Sequence, residues 1–169
     1  MKACIAGRAA TALVAVLTAA GAANLVHAQP NERSRQIAPL DQFPRDPLTI
    51  VTARGVHSFN VWIADTEARR TQGLMFVRTL RDDMGMLFTY GSPRPIALGM
   101  KNTLIPLDIL FVRADGRISR ILANVTPESL TRLESGESVL AGLELKGGTA
   151  DRLGISPGAR VIHPLFARP

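Results

Sequence analysis

The chain reads as α+β but mainly β: a compact single domain of about eight short strands in a barrel-like or strongly curved mixed sheet, with two short helices. Three observations carry this expectation. Short apolar segments recur between turn signals along residues 48–166. Phe59, Val61 and Ile63 sit at alternate positions on one face, the period of a strand and not of a helix. Asp115-Gly116 lies between two apolar segments and suits a hairpin turn that needs positive φ.

The elements follow in order. Leu48–Thr52 and Phe59–Ile63 are expected strands. A helix runs from an Asp65 cap to about Gln72. Glu67 in its first turn favours the positive end of the dipole, and Gly73 ends it. Asp82-Asp83-Met84-Gly85 is a turn, Met86–Tyr90 a strand, residues 91–95 a loop, and Ile96–Met100 a strand. Leu107–Arg113 and Ile118–Ala123 flank the Asp-Gly turn as an antiparallel pair, and Ser138–Leu145 is a further strand. Thr149–Leu153 is a short helix closed by Gly154, and Pro157-Gly158 turns the chain into Arg160–His163.

The N-terminal 28 residues read as a secretory signal peptide. Lys2 and Arg8 precede an apolar stretch, and Val26-His27-Ala28 suits cleavage after Ala28. The expected location is periplasmic or secreted. Membrane contact is expected only through this segment, should it stay uncleaved as an anchor. Residues 29–47, rich in Pro and charge without a sustained period, are expected to be a flexible tether. The single domain then spans 48–166.

Cys4 is the only cysteine and lies in the leader, so the mature domain has no disulfide, thiol nucleophile or thiolate metal site. The formal charge of +6 falls by two with Lys2 and Arg8, and the remaining arginines are scattered. That pattern suits solubility and argues against nucleic acid. No phosphate loop, dinucleotide fingerprint or Gly-x-Ser-x-Gly elbow occurs. Met75, Met84, Met86 and Met100 raise soft copper ligation, but they form no short cluster and are expected to fill the core. His57 and His163 stand in no ligand spacing, and Trp62 and Tyr90 are expected to pack. No metal and no cofactor is expected.

Three blocks carry a resemblance: "FNVWIADTEARRTQGLMFVRTLRDDMGMLFTY", "MKNTLIPLDILFVRADGRI" and "LELKGGTADRLGISPGARV". In this order they resemble the domain-of-unknown-function 192 family, over Phe59–Val161. The resemblance implies a compact, mainly β domain, often exported, and no established activity or catalytic residue. It also implies aromatic residues just before the Met-Lys-Asn-Thr motif. Here those positions hold Leu98 and Gly99.

The candidate site is Met100, Lys101, Asn102, Thr103, Asp108 and Glu144. Asp108 sits in the strand Leu107–Val112, apolar on both faces and so expected to be buried. A buried carboxylate needs donors or a cation. Asp108 is expected to take backbone N–H groups or the Thr103 and Asn102 side chains and so pin the "KNTLIP" loop. The sharper readings are a ligand pocket shared with Lys101 and Asn102, or acid–base chemistry. Glu144 shares a mostly apolar face with Leu140 and Gly142. It either pairs with Lys101 or lies at a solvated edge. The expected function is a non-catalytic binding or accessory domain of the cell envelope. Its partner would be a small polar ligand, a glycan or an envelope protein. The alternative is a hydrolase or lyase using Asp108 or Glu144 as general acid or base.

Overall fold

A computed structural model describes residues 37–166; the expected leader, Cys4 and the first part of the tether lie outside the described residues. Seven strands form one sheet in the order β5-β4-β6-β3-β2-β1-β7. They are β1 (Arg45–Thr52), β2 (Gly55–Ala64), β3 (Met84–Leu98), β4 (Leu107–Val112), β5 (Ile118–Val125), β6 (Leu133–Lys146) and β7 (Arg160–Ile162). The β2–β3 pair is parallel and every other pair antiparallel. The sheet curls into a half-barrel, and a bridge between Arg117 and Arg160 links the two ends of the strand order. Among the described residues no helix is long and apolar enough to cross a membrane.

The strand count is one lower than expected because β3 is a single strand through residues 91–95. Its ladder with β6 shifts register between Thr89 and Arg94 and again between Pro95 and Ala97. Pro93 and Pro95 lie in this irregular stretch, where prolines are tolerated because a regular ladder bond is already missing. At the second shift the Ile96 N–H donates instead to the Ser135 hydroxyl, which donates to the Glu137 carbonyl. Strict alternation on β6 breaks beside this stretch: the neighbours Leu140 and Ala141 both join the same core cluster, while Val139 joins the other.

Two further expectations are corrected. The tether does not reach residue 47. Phe43 is buried, β1 starts at Arg45, and Gln72 exchanges hydrogen bonds with both backbone groups of Ala38. The cap of α1 (Glu67–Gln72) is Thr66, whose hydroxyl accepts the Arg69 N–H, while Asp65 pairs with the Arg69 guanidinium. By contrast α2 (Thr149–Leu153) and its Gly154 stop fall where the sequence puts them.

Apolar side chains cover both faces. One cluster joins Leu48, Ile50, Val61, Leu110, Leu143 and Leu145 to Ala150 and Ile155 around α2. The other gathers Phe43, Leu74, Met86, Phe88, Met100 and Phe111 beneath α1 and the turns after it. Met86 and Met100 are wholly buried there, and β4 is buried at every residue. The strands are packed tightly enough at Gly85 that a Cβ would lie 2.5 Å from the Glu144 carbonyl and 2.7 Å from Leu145. Gly85→Ala therefore forces backbone apart and should cost about 1–3 kcal/mol in urea unfolding. An unchanged midpoint would show that β3 and β6 can separate freely there.

Candidate functional site

A cleft of about 190 Å³ lies on the second face. Its chemistry comes from Arg70 on α1, Tyr90 on β3, Lys101 and Thr103 in the turn after β3, and Glu144 on β6. Three of the six expected residues thus share one site.

Glu144 is the floor. In register it lies between Met86 on β3 and Ile109 on β4, so its side chain points to their face. It is only 4 % exposed. The expected edge position is therefore corrected: β6 is flanked by β3 and β4 at this point. Burial pushes the Glu144 carboxyl up to about 8, with no donor or cation among the described residues to oppose it. Lys101 lines the same cleft but forms no ion pair with it among the described residues.

Arg70 is fixed by its own donors. Its NH1 donates to the carbonyls of Asp65 (2.7 Å) and Thr89 (2.8 Å), and its guanidinium lies 5.0 Å over the Tyr90 ring. Burial pushes the Tyr90 phenol up, Arg70 draws it down and the Glu144 charge pushes it up again, so the three groups form one electrostatic unit.

The rim is held by an unusual pair. Asn102 and Phe76 both adopt positive φ, at 58° and 62°. Asparagine tolerates this; for a bulky aromatic it costs about 1–3 kcal/mol. The Phe76 N–H donates to the Asn102 carbonyl at 2.8 Å, and the Asn102 amide reaches the Met75 sulfur at 3.8 Å. Asn102 thus ties the segment after α1 to the turn that carries Lys101. The Thr103 N–H closes that turn on the Met100 carbonyl, and the Thr103 carbonyl accepts from Glu128. Thr103 is buried and lines the cleft. Met100 lies beyond β3, not within it, and is a core residue.

Asp108 stands apart. It pairs in register with Leu145, so it occupies the face opposite Glu144. It is fully buried, and its Oδ1 accepts the N–H groups of Asn124 (2.7 Å) and Gly148 (3.1 Å), its Oδ2 that of Ala150 (2.6 Å). The expectation of backbone donors is right in kind but not in place. The donors belong to β5 and the entrance of α2, not to the "KNTLIP" loop. Helix α2 begins at Gly148, which has no side chain to cap it, and Asp108 supplies that cap from β4.

A larger groove of about 590 Å³ passes Thr89, Leu140 and His163, with no Lys, Arg, Asp or Glu in its lining. Burial draws the His163 imidazole down against the pull of Asp46, 3.5 Å away. Among the described residues, no three His, Cys, Asp or Glu side chains gather to hold a metal.

Arg70 and Tyr90 were not evident as site residues in the sequence. Arg70 looks like any outward helix arginine and Tyr90 like a packing aromatic. Only the placing of α1 beside the middle of β3, where Arg70 reaches the Thr89 carbonyl, brings them together. Gly99, one of the two positions where the resemblance implies an aromatic, also lines the cleft, and a Cβ there would meet nothing within 4 Å. The lack of an aromatic leaves the cleft more open.

The family model DUF192, described as an uncharacterised ACR, matches residues 49–163. Similar solved structures include the following two. One, from Sinorhizobium meliloti 1021, is described as a "putative transcription regulator". It is 42% identical with a TM-score of 0.69, over 71% of this chain and 94% of that one. The other, a protein of unknown function from Novosphingobium aromaticivorans DSM 12444, is 40% identical with a TM-score of 0.72, over 75% of this chain and 91% of that one. Comparison with curated proteins finds no match.

Proposed function

The chain belongs to the DUF192 family, a membership that carries no activity with it, and on that premise we propose that it is a non-catalytic binding domain for a small polar ligand. The observation that supports this reading is the Glu144 carboxylate. It is buried, has no hydrogen-bond partner among the described residues, and lines the cleft beside Arg70, Tyr90 and Lys101. A core glutamate without donors destabilises a fold, so it is retained where something outside the chain completes it. At about 190 Å³ the cleft suits a small molecule in preference to a glycan chain or a protein surface. The leader-like sequence supports export, with cleavage after Ala28 and a periplasmic or secreted site of action. The rival reading of an acid–base pair needs Asp108 and Glu144 in one cleft, and they occupy opposite faces of the sheet.

Native mass spectrometry of the chain purified gently from its own host tests the proposal. A mass excess lost on denaturation, and reduced in Lys101→Ala, is expected. Lys101 is exposed and pairs with no carboxylate among the described residues, so the substitution should leave stability within about 0.5 kcal/mol of wild type. A bare mass under conditions that keep weak complexes would overturn the reading.

A further inference from the structure

The cleft is polarised from mouth to floor. Lys101 is exposed and Arg70 half-buried at its rim, while Glu144 and Thr103 are buried. Among the described residues Arg70 spends only NH1 on protein carbonyls, so Nε and NH2 keep their donors. The walls between are apolar, from Leu74, Phe88 and Leu98. A simple cation would pass two positive groups to reach the floor. A simple anion would end against a carboxyl group. A small molecule with a positive end and a negative end satisfies both.

Resting on the binding reading above, we infer that the ligand is a free amino acid or a zwitterion of that size, seated with its protonated amine on Glu144 and its carboxylate on Lys101 and Arg70. The amine gives Glu144 the charged partner it lacks, so binding converts a protonated carboxyl into a carboxylate and releases that proton to solvent. Near pH 7 the empty site holds most of one proton, because burial sets Glu144 at about 8. Binding should therefore release close to one proton at pH 7, and clearly less as pH rises through the Glu144 value of about 8.

The test is isothermal titration calorimetry of the full purified chain with the free amino acids one by one. It is repeated in buffers of different ionisation enthalpy to count protons. At least one amino acid should bind. Its N-acetyl derivative, which lacks the charged amine, should bind about tenfold or more weakly, as should the parent ligand to Glu144→Gln. Loss of the carboxylate, in the decarboxylated amine, should weaken binding similarly. Thermal unfolding of Glu144→Gln confirms that the variant is folded. Equal binding of the N-acetyl form, or no proton release at pH 7, overturns the inference. If no amino acid binds but the host-purified protein carries another mass, the inference fails and the binding reading stands. A bare mass together with no binding overturns both.

Discussion

Asp108→Asn should be among the most damaging single substitutions in the protein, lowering stability by about 3 kcal/mol or more in urea unfolding. The asparagine oxygen can replace one carboxylate oxygen only. Its amide nitrogen then faces a backbone N–H, either Ala150 at the Oδ2 position or Asn124 and Gly148 at Oδ1. At least one buried donor loses its acceptor and meets another donor, while the remaining bonds lose their charge. Because α2 has no cap of its own, its entrance should loosen first. Faster amide exchange at Gly148 and Ala150 is the local signature. A variant with wild-type midpoint would mean that the three N–H groups find water instead.

The second large effect is a pH dependence carried by Glu144. Its native value of about 8 lies above its ordinary 4.5, so the native state holds a proton that the unfolded chain has released. Between those values the unfolded state binds fewer protons, and stability falls as pH rises. The full contribution is present below about pH 4.5 and gone above about pH 8. The total is on the order of 5 kcal/mol. Glu144→Gln keeps the shape and removes the titration. Plotted against pH, the variant should gain on wild type steadily across this window and be much the more stable at pH 9. Parallel curves would show that Glu144 is not buried as described. A saturating ligand that pairs with Glu144 should flatten the wild-type curve.

These two carboxylates also mark what the sequence could and could not convey. That Asp108 is buried and hydrogen-bonded was legible, because apolar residues surround it on both faces of a short strand. Which groups bond to it was not, since they arrive from β5 and α2, far along the chain. Glu144 was ambiguous for a related reason. A glutamate among apolar residues looks the same at an edge as at the centre of a sheet, and only strand order decides between them. Local signals worked where structure is local: α2 with its Gly154 stop, the Asp115-Gly116 turn, and β4. They failed at residues 91–95, where Gly, Ser and Pro signal a loop but the extended backbone continues through two register shifts. They failed again at residues 37–47, where a Pro- and charge-rich composition conceals a Phe43 anchor.

The strand order has a kinetic consequence. β1 pairs with β2 through a tight turn, but its other edge waits for β7, where Thr49 meets Ile162 from the opposite end of the domain. Long-range closure of this kind is slow, and chains dominated by it fold in milliseconds to seconds. During synthesis the sheet cannot be completed until β7 has emerged. Until then Ile50 and Val161, which face each other across that final pair, stay open to water. The half-barrel thus stays unfinished while β2 to β6 are made, and it closes only after β7.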